Sequence, residues 1–263
     1  MDYKKLADLL FPNITKSISY YEETVFPKRD LPEGAMVTRL APSPTGFIHL
    51  GNLYGAFVDE RLAHQNNGVF MLRIEDTDEK RKVEGAIETI ISSLEYFDLK
   101  FDEGVTVNGE IGNYGPYYQS NRGEIYQTVA KYLVEQGRAY PCFCTEEELA
   151  EVRKQQETEK VTTGYYGKWA KDRDLSLEEI EQRLKNNESF VLRFKSMGTE
   201  EGKFEIEDAI RGTLSMPENY QDIVLLKSNG IPTYHFAHVV DDHLMRVTHV
   251  VRGEEWLSTL PIH

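Results

Sequence analysis

Two polar segments, residues 42–52 and 75–78, each follow a short apolar run of the kind that forms a β-strand. The first segment leads into a predicted helix. A turn between a strand and a helix presents unpaired backbone N–H groups and the positive end of the helix dipole, and both favour phosphate oxygens. His49 and Asn52 in this segment could donate hydrogen bonds to negative charge developing on phosphorus. These residue types and their spacing predict phosphate chemistry at the start of the helix.

Two glycines in the same segment, Gly46 and Gly51, would let a ligand approach the backbone closely. They have the spacing of a P-loop, but Asn52-Leu53 follows where a P-loop needs lysine and then serine or threonine. The chain also contains no Gly-x-Gly-x-x-Gly sequence, which disfavours a nicotinamide-dependent dehydrogenase. The alternative to a phosphate site is a proline-rich turn beside a surface histidine.

The elements around these segments alternate between strands and helices. Strands are predicted at residues 36–41 and 69–74, and helices at about 51–65 and 83–97. This order implies parallel strands with helices packed on the sheet. Ligands in such folds bind beyond the carboxyl ends of the strands, which is where both polar segments lie.

The α/β pattern is interrupted and later resumes. Two helices of the middle region begin with capping boxes, one at Thr145 and Glu148 and one at Ser176 and Glu179. Three strands are predicted after that region, at residues 222–226, 234–240 and 247–251. We therefore predict an N-terminal helix and loose arm over 1–35, an α/β domain over 36–118 that resumes over 222–263, and an α+β insertion over 119–221.

Composition narrows the class of protein. The chain has 263 residues, a formal net charge of −14 and two cysteines. The acidic balance argues against binding nucleic acid through bulk charge, and two cysteines cannot form a disulfide framework. No apolar run approaches the roughly 18 residues of a membrane helix, and the first residues lack the apolar core of a secretory signal. These features predict a cytoplasmic protein without membrane partners.

Several blocks of the sequence closely resemble the catalytic core of the glutamyl-tRNA synthetase family of class I synthetases. The blocks are residues 38–46, 49–52, 73–78, 115–120, 232–235, 241–245 and 252–257, in the family's order. His49-Leu50-Gly51-Asn52 is similar to the family's form of the His-Ile-Gly-His signature. The resemblance implies a Rossmann-like parallel-sheet nucleotide-binding domain, and it implies that the insertion binds the acceptor stem of tRNA.

The resemblance also implies which residues hold glutamate. Arg39 and Arg252 match the arginines that hold its carboxylates, and a planar guanidinium that is always charged suits that task. Glu75 matches the partner of the substrate ammonium group. Where many relatives carry an asparagine facing the substrate, this chain has His238, whose charge changes near neutral pH, so glutamate binding is in question there as pH falls. Further glutamate contacts are implied for Ala41, Ser43 and Tyr234.

The ATP side is implied in the same way. The matching residues are Ser43, His49, Gly51, Asn52, Glu255 and Trp256. Of these, His49 and Asn52 are the expected catalytic residues, and Glu255 and Trp256 are expected near the ribose and adenine. The implied reaction is ATP-dependent ligation of L-glutamate to tRNA(Glu) through glutamyl-adenylate, with Mg²⁺ accompanying ATP. It needs positioning and charge neutralisation and no protein nucleophile.

Cys142 and Cys144 match positions at which some family members bind structural zinc together with a later cysteine and histidine. Trp169 and Lys171 stand at those later positions in this chain. Because two thiolates do not complete a tetrahedral zinc site, we predict that the chain holds no metal.

The sequence also leaves functions other than glutamyl-tRNA synthesis to consider. The family's second signature, a lysine-rich loop, does not occur in the sequence, which suggests a fragment that also lacks the anticodon-binding part. The alternative enzyme is glutamyl-queuosine tRNA(Asp) synthetase, and Arg252 disfavours glutaminyl-tRNA synthetase. The alternative of another class is a tRNA-acceptor-binding module without catalysis. A metal-dependent hydrolase is disfavoured, because the sequence has no His-Glu-x-x-His pattern and because His235 and His238 on the predicted strand would point to opposite faces. Its candidate ligands would be His235, His238, His243, His249, Asp241 and Asp242.

Overall fold

The computed structural model describes residues 1–45, 48–78 and 83–263. Its α-helices are α1 (Tyr3–Leu10), α2 (Leu50–Gln65), α3 (Ala86–Tyr96), α4 (Gly123–Glu135), α5 (Glu146–Glu159), α6 (Leu177–Lys185) and α7 (Tyr234–Leu244). Its strands are β1 (Val37–Leu40), β2 (Val69–Leu72), β3 (Glu103–Thr106), β4 (Gly109–Ile111), β5 (Ala139–Cys142), β6 (Val191–Phe194), β7 (Lys203–Asp208), β8 (Gly212–Pro217) and β9 (Val224–Leu226). Shorter segments are a π-helix at Tyr20–Val25 and 3₁₀-helices at Gln119–Arg122, Gly167–Trp169 and Glu254–Thr259.

These elements fall into two compact units. The parallel-sheet unit consists of residues 16–126 and 237–257. The antiparallel-sheet unit consists of residues 1–15, 127–236 and 258–263.

The parallel-sheet unit contains the strand–helix–strand–helix order that the sequence predicts. β1, β2 and β3 are parallel neighbours, and β4 pairs with β3 as an antiparallel edge strand. All of β1 is buried, and Phe70, Met71 and Leu72 of β2 are fully buried, as expected for parallel strands covered on both faces. The α/β fold with a parallel sheet is confirmed. Because α2 leads from β1 into β2, the carboxyl ends of the two strands lie at the same edge of the sheet.

The sequence predicts a strand over residues 234–240, and this prediction is wrong, because these residues begin the helix α7. Aromatic and β-branched residues favour a strand locally. The buried residues Ala237, Val240 and Leu244 nevertheless recur at helical spacing, and their packing decides the outcome. The strand predicted at residues 247–251 is also wrong, since these described residues form no strand.

The arm, defined here as residues 16–35, is predicted to be loose, and this prediction is also wrong. It belongs to the parallel-sheet unit, where Phe26 is fully buried and its ring stacks on those of Tyr21 and Tyr114 at 6.2 and 6.3 Å. Its prolines break regular structure without preventing the intervening aromatic residues from packing.

The antiparallel-sheet unit contains a sheet of order β5-β6-β9 and the separate hairpin β7-β8. Both predicted capping boxes are confirmed: the hydroxyls of Thr145 and Ser176 each accept the backbone N–H of a glutamate at 3.2 Å. The predicted N-terminal helix is confirmed as α1, and it buries Leu6 and Ala7 in this unit. None of the helices in the described ranges is long and apolar enough to span a bilayer.

Candidate functional site

The two polar segments lie side by side in the parallel-sheet unit. Backbone pairing continues past the ends of β1 and β2, because the N–H of Glu75 donates to the carbonyl of Pro42 at 3.0 Å. This contact joins the start of the segment 42–52 to the segment 75–78. The parallel register of β1 and β2 therefore brings together two stretches that are far apart in sequence.

Four of the predicted glutamate-binding residues converge in this unit. The Nη2 atom of Arg39, on β1, lies 3.3 Å from Nε2 of His238, on α7. The Nη2 atom of Arg252 lies 3.5 Å from the other ring nitrogen, Nδ1. The carboxylate of Glu75 is 3.9 Å from the same Nδ1 atom. The two arginines thus approach opposite nitrogens of one imidazole, with an acidic group beside it.

Two residues that the sequence did not assign to the glutamate site, Arg73 and Asp242, hold this cluster together. The Nε atom of Arg39 lies 3.1 Å from both carboxylate oxygens of Asp242, and Arg73 Nη1 lies 2.8 Å from one of them. Arg73 also donates to Glu75 at 3.1 Å, and His238 Nε2 is 3.1 Å from Asp242. Asp242 stands four positions after His238, so a helical pattern over these residues could have revealed the pair.

Burial and these ion pairs set the protonation states. Burial lowers the pKa of His238, and this outweighs the opposing effects of Glu75 and Asp242. Burial would raise the pKa of Asp242, but the guanidinium groups of Arg73 and Arg39 hold it well below its ordinary value. The pKa of Glu75 is likewise lowered, against the effect of burial, by His238 and Arg73. At neutral pH the cluster therefore contains a neutral imidazole among charged guanidinium and carboxylate groups.

A neutral imidazole carries one N–H, and each ring nitrogen of His238 has both a donor and an acceptor beside it. Nε2 lies 3.1 Å from the carboxylate of Asp242 and 3.3 Å from Nη2 of Arg39. Nδ1 lies 3.5 Å from Nη2 of Arg252 and 3.9 Å from the carboxylate of Glu75. The neutral ring can therefore donate one hydrogen bond to a carboxylate and accept one from a guanidinium group.

A second buried carboxylate fixes α7 next to this cluster. Asp241 is fully buried and accepts hydrogen bonds from Gln119 at 2.9 Å, Arg122 at 2.6 Å and the Tyr126 hydroxyl at 2.8 Å. The charge of Asp241 is balanced by Arg122. These bonds connect α7 to the segment that follows residues 115–118, and Asp241 also lies 3.8 Å from Nε of Arg73, so it adjoins the cluster as well.

The predicted phosphate segment has His49 at the N-cap position of α2. The backbone N–H of His49 donates to Oδ1 of Asn52 at 3.3 Å, which orients the asparagine side chain at the helix start. His49, Gly51 and Ser43 are exposed. A Cβ atom at Gly51 would lie 3.2 Å from the His49 ring, so glycine leaves room for that ring. Gly46 lies outside the described residues.

The remaining predicted residues lie in different surroundings. The guanidinium of Arg252 lies 5.0 Å from the ring centre of Trp256, so one arginine touches a residue expected on the ATP side and His238 on the glutamate side. Glu255 is exposed beside Trp256 in the 3₁₀-helix, and Ala41 is half-buried after β1. Tyr234 begins α7 and belongs to the antiparallel-sheet unit, where its ring lies 6.3 Å from that of His263.

The carboxylate of Asp172 lies close to the two cysteines, and the sequence pattern did not predict this neighbour. Ligand atoms of Cys142, Cys144 and Asp172 all lie within 4.8 Å of one another, the one such group found in the part of the chain that the structure describes. The Tyr165 hydroxyl is 3.4 and 3.3 Å from the two sulfur atoms, and Asp172 accepts the N–H of Phe143 at 2.6 Å. The hydrogen bond from Cys144 lowers the pKa of Cys142 to about 6. These groups satisfy one another by hydrogen bonds, and the absence of a metal stays a prediction.

The prediction that His235 and His238 point to opposite faces of a strand is wrong, because both residues lie on the helix α7. On α7 these two positions are neighbours along the helix surface. His235 is assigned to the antiparallel-sheet unit, where its Nδ1 lies 3.0 Å from Nε2 of His263. His238 instead faces the arginines and carboxylates described above.

Comparison with known proteins shows the family to which the chain belongs. The family described as "tRNA synthetases class I (E and Q), catalytic domain" matches residues 35–263. The chain is 81% identical over its whole length to the glutamate–tRNA ligase of Acetivibrio thermocellus and covers 48% of that protein. It is 56% identical to that of Clostridium perfringens strain 13, again covering 48% of the relative. The chain thus spans about half the length of these curated relatives.

A solved structure is also similar. A glutamate tRNA ligase from Elizabethkingia meningosepticum CCUG26117, in complex with its amino acid, matches with a TM-score of 0.77 and 39% identity. The match covers 87% of this chain and 45% of that one.

Proposed function

Because the chain belongs to the family of class I tRNA synthetases for E and Q, as its catalytic domain, we propose that it binds L-glutamate and ATP for ligation of glutamate to tRNA(Glu). The observation that carries this proposal is the convergence of Arg39 and Arg252 on opposite nitrogens of His238, beside Glu75. Guanidinium groups are suited to carboxylates, and a carboxylate is suited to an ammonium group.

The charge of the cluster fits this substrate. The guanidinium groups of Arg39 and Arg73 pair with the carboxylates of Asp242 and Glu75, and Arg252 lies against His238, so three guanidinium groups and two carboxylates leave one positive charge when His238 is neutral. Glutamate at neutral pH carries two carboxylates and one ammonium, hence one net negative charge. A neutral amide side chain, as in glutamine, would leave that positive charge unbalanced in a buried setting. The cluster therefore favours glutamate over glutamine.

ATP is proposed to lie along the segment 42–52 and the 3₁₀-helix that carries Glu255 and Trp256. The glutamate α-carboxylate would attack the α-phosphorus and release pyrophosphate, and the tRNA terminal ribose hydroxyl would then take the glutamyl group. His49 and the start of α2 would face the charge that develops on phosphorus, and Asn52 would hold that turn in place. Mg²⁺ would enter with ATP as part of the substrate. Enzymatic activity, tRNA(Glu) as partner and residues 119–221 as its acceptor-binding region are parts of this proposal.

Equilibrium binding tests the glutamate site directly. Calorimetric titration with L-glutamate, L-glutamine and L-aspartate is expected to show binding of glutamate and much weaker binding of the other two. Arg252 is only half-buried, so Arg252→Met should fold. This substitution is expected to weaken glutamate binding by roughly tenfold or more, because it removes a charge-assisted hydrogen bond.

The matched control is Arg61→Met, which removes an arginine that is 48% exposed on α2 in the same unit. Its glutamate affinity should equal that of the unmodified chain. Equal affinity in the Arg252→Met variant, or equal affinity for glutamate and glutamine, would contradict the proposed site.

A further inference from the structure

The arm, residues 16–35, is not explained by the family match, which begins at residue 35. Its packing on the parallel-sheet unit is extensive and specific. Arg29 is central to it, with a side chain only 7% exposed. An arginine buried to this degree on an N-terminal segment must have its donors satisfied, and the positions of its partners indicate what the segment does.

Arg29 connects the arm to the end of α7. Its Nε and Nη2 atoms donate to the carbonyl of Met245 at 3.1 and 3.0 Å. Its Nη1 and Nη2 atoms also pair with both oxygens of Glu103, on β3, at 2.9 and 3.0 Å. The guanidinium lies 3.7 Å from the ring centre of Tyr114, whose hydroxyl donates to the carbonyl of Pro27. The side chain of Arg29 thus links the residue that follows α7 to strand β3 of the sheet.

A second arginine makes the reciprocal connection. Arg246 follows α7 with a φ of +61°, the left-handed conformation typical of a helix end. Its guanidinium donates to the carbonyl of Phe26 and, at 2.8 Å, to that of Glu22. The Glu22 carboxylate in turn lies 2.6 Å from Nε2 of His243. Arg29 of the arm therefore donates to a carbonyl at the end of the helix, and Arg246 at the end of the helix donates to carbonyl groups of the arm.

This reciprocal clamp adjoins the candidate glutamate site. The N–H of Met245 donates to the carbonyl of Asp241 at 2.8 Å, which continues the helix to the clamp. The sulfur of Met245 lies 3.7 Å from Nη1 of Arg73, the same atom that binds Asp242. A shift of the helix end would therefore move the residues that hold Arg39 and His238.

We propose that Arg29, and through it the arm, is a positioning element of the glutamate site: it fixes α7 so that His238 and Asp242 hold the substrate arginines in their binding geometry. This inference rests on the proposed function, because it assigns the arm a role in binding glutamate. Arg29 does not touch the substrate. Geometry errors of about 1 Å in a binding cluster cost large factors in affinity or rate, so a positioning residue can have a measurable effect.

The test compares Arg29→Met with Lys28→Met, which removes the adjacent exposed cation and serves as control. Calorimetry would give the dissociation constants for L-glutamate and for ATP, and circular dichroism would give the melting temperature. Arg29→Met is expected to bind glutamate about tenfold more weakly, with ATP binding changed less than about twofold. Arg29→Lys should give an intermediate value, since an ammonium can reach one of the two acceptors but cannot bridge Glu103 and Met245.

The outcomes separate the inference from the function on which it rests. If neither the unmodified chain nor Lys28→Met binds glutamate, the proposed function is wrong. Glutamate binding by Arg29→Met equal to that of Lys28→Met, even with a lower melting temperature, would overturn the positioning role and leave the function standing. If Arg29→Met lost affinity for glutamate and for ATP to the same extent, the positioning role would also be wrong, because the substitution would then have disturbed the whole unit. If Arg29→Met does not fold, the same criteria apply to Arg29→Lys.

Discussion

His238 links the two candidate substrate arginines and can respond to pH. Its Nε2 atom lies beside Asp242 and Arg39, and its Nδ1 atom lies beside Arg252 and Glu75. Burial lowers its pKa below the ordinary value, so the unfolded chain binds a proton at higher pH than the folded chain does. Folding is then favoured above the ordinary histidine pKa of about 6.5, and this contribution is lost as pH falls below it.

The residue-scale prediction concerns His238→Asn. Between about pH 7.5 and pH 5.5 the unmodified chain should lose more unfolding free energy than the variant, since asparagine does not titrate. Urea unfolding at the two pH values measures this difference. The other histidines are common to both proteins and cancel in the comparison. Identical pH dependence in the two proteins would show that His238 is not held neutral by its surroundings.

At the scale of elements, α7 does most to assemble the site. It carries His238, Asp241 and Asp242, which face two different networks of the parallel-sheet unit. A strand over these residues would have placed His238 and Asp242 on one side of a sheet, farther apart. As a helix, the same residues are one turn apart, and one carboxylate can contact both the imidazole and the two arginines.

A substitution at Val239 distinguishes helix from strand. Its side chain is 38% exposed, and a leucine keeps an apolar side chain at this position, so little packing is lost. Val239→Leu should stabilise the protein by about 0.5 kcal/mol, because leucine favours a helix over the β-branched valine. The same change in a strand would destabilise it. Urea unfolding gives the sign, and a clear loss of stability would contradict the helix.

At the scale of the whole molecule, the proposed site offers residues for binding and orienting glutamate, whereas the proposed reaction also needs positive charge at the departing pyrophosphate. The sequence has no counterpart of the family's lysine-rich second signature, whose positive charge neutralises the departing pyrophosphate. Charge stabilisation of this kind is among the largest contributions to such reactions.

We therefore expect the 263-residue chain to bind glutamate but to support glutamate-dependent ATP–pyrophosphate exchange slowly. A rate lower by roughly 10²-fold or more than that of a full-length relative is expected, the size of effect seen when a charge-stabilising group is lost. The comparison enzyme is the Acetivibrio thermocellus ligase, to which the chain is 81% identical. Exchange at the rate of that enzyme would show that the residues present suffice.

Much of the fold and part of the site could be read from local pattern. β1, α2 and β2 were predicted within a few residues of their observed bounds, because their apolar periodicity is set by neighbours in sequence. The two helix caps were predicted for the same reason. The family motifs predicted Arg39, Arg252 and Glu75 as glutamate-binding residues, and the structure brings these three residues together around His238.

The sequence by itself thus determined the strand–helix order, the caps and which charged residues could bind the substrate, since each depends on residues close together in the chain. Only the tertiary structure decided that α7 is a helix, that Asp242 joins Arg39 to Arg73, and that Arg29 fixes the end of α7. Arg39 and Asp242 are 203 positions apart, and Arg29 and Met245 are 216 apart. Ion pairs and hydrogen bonds over such separations leave no periodic pattern, because burial and the fold of the whole unit select the partners.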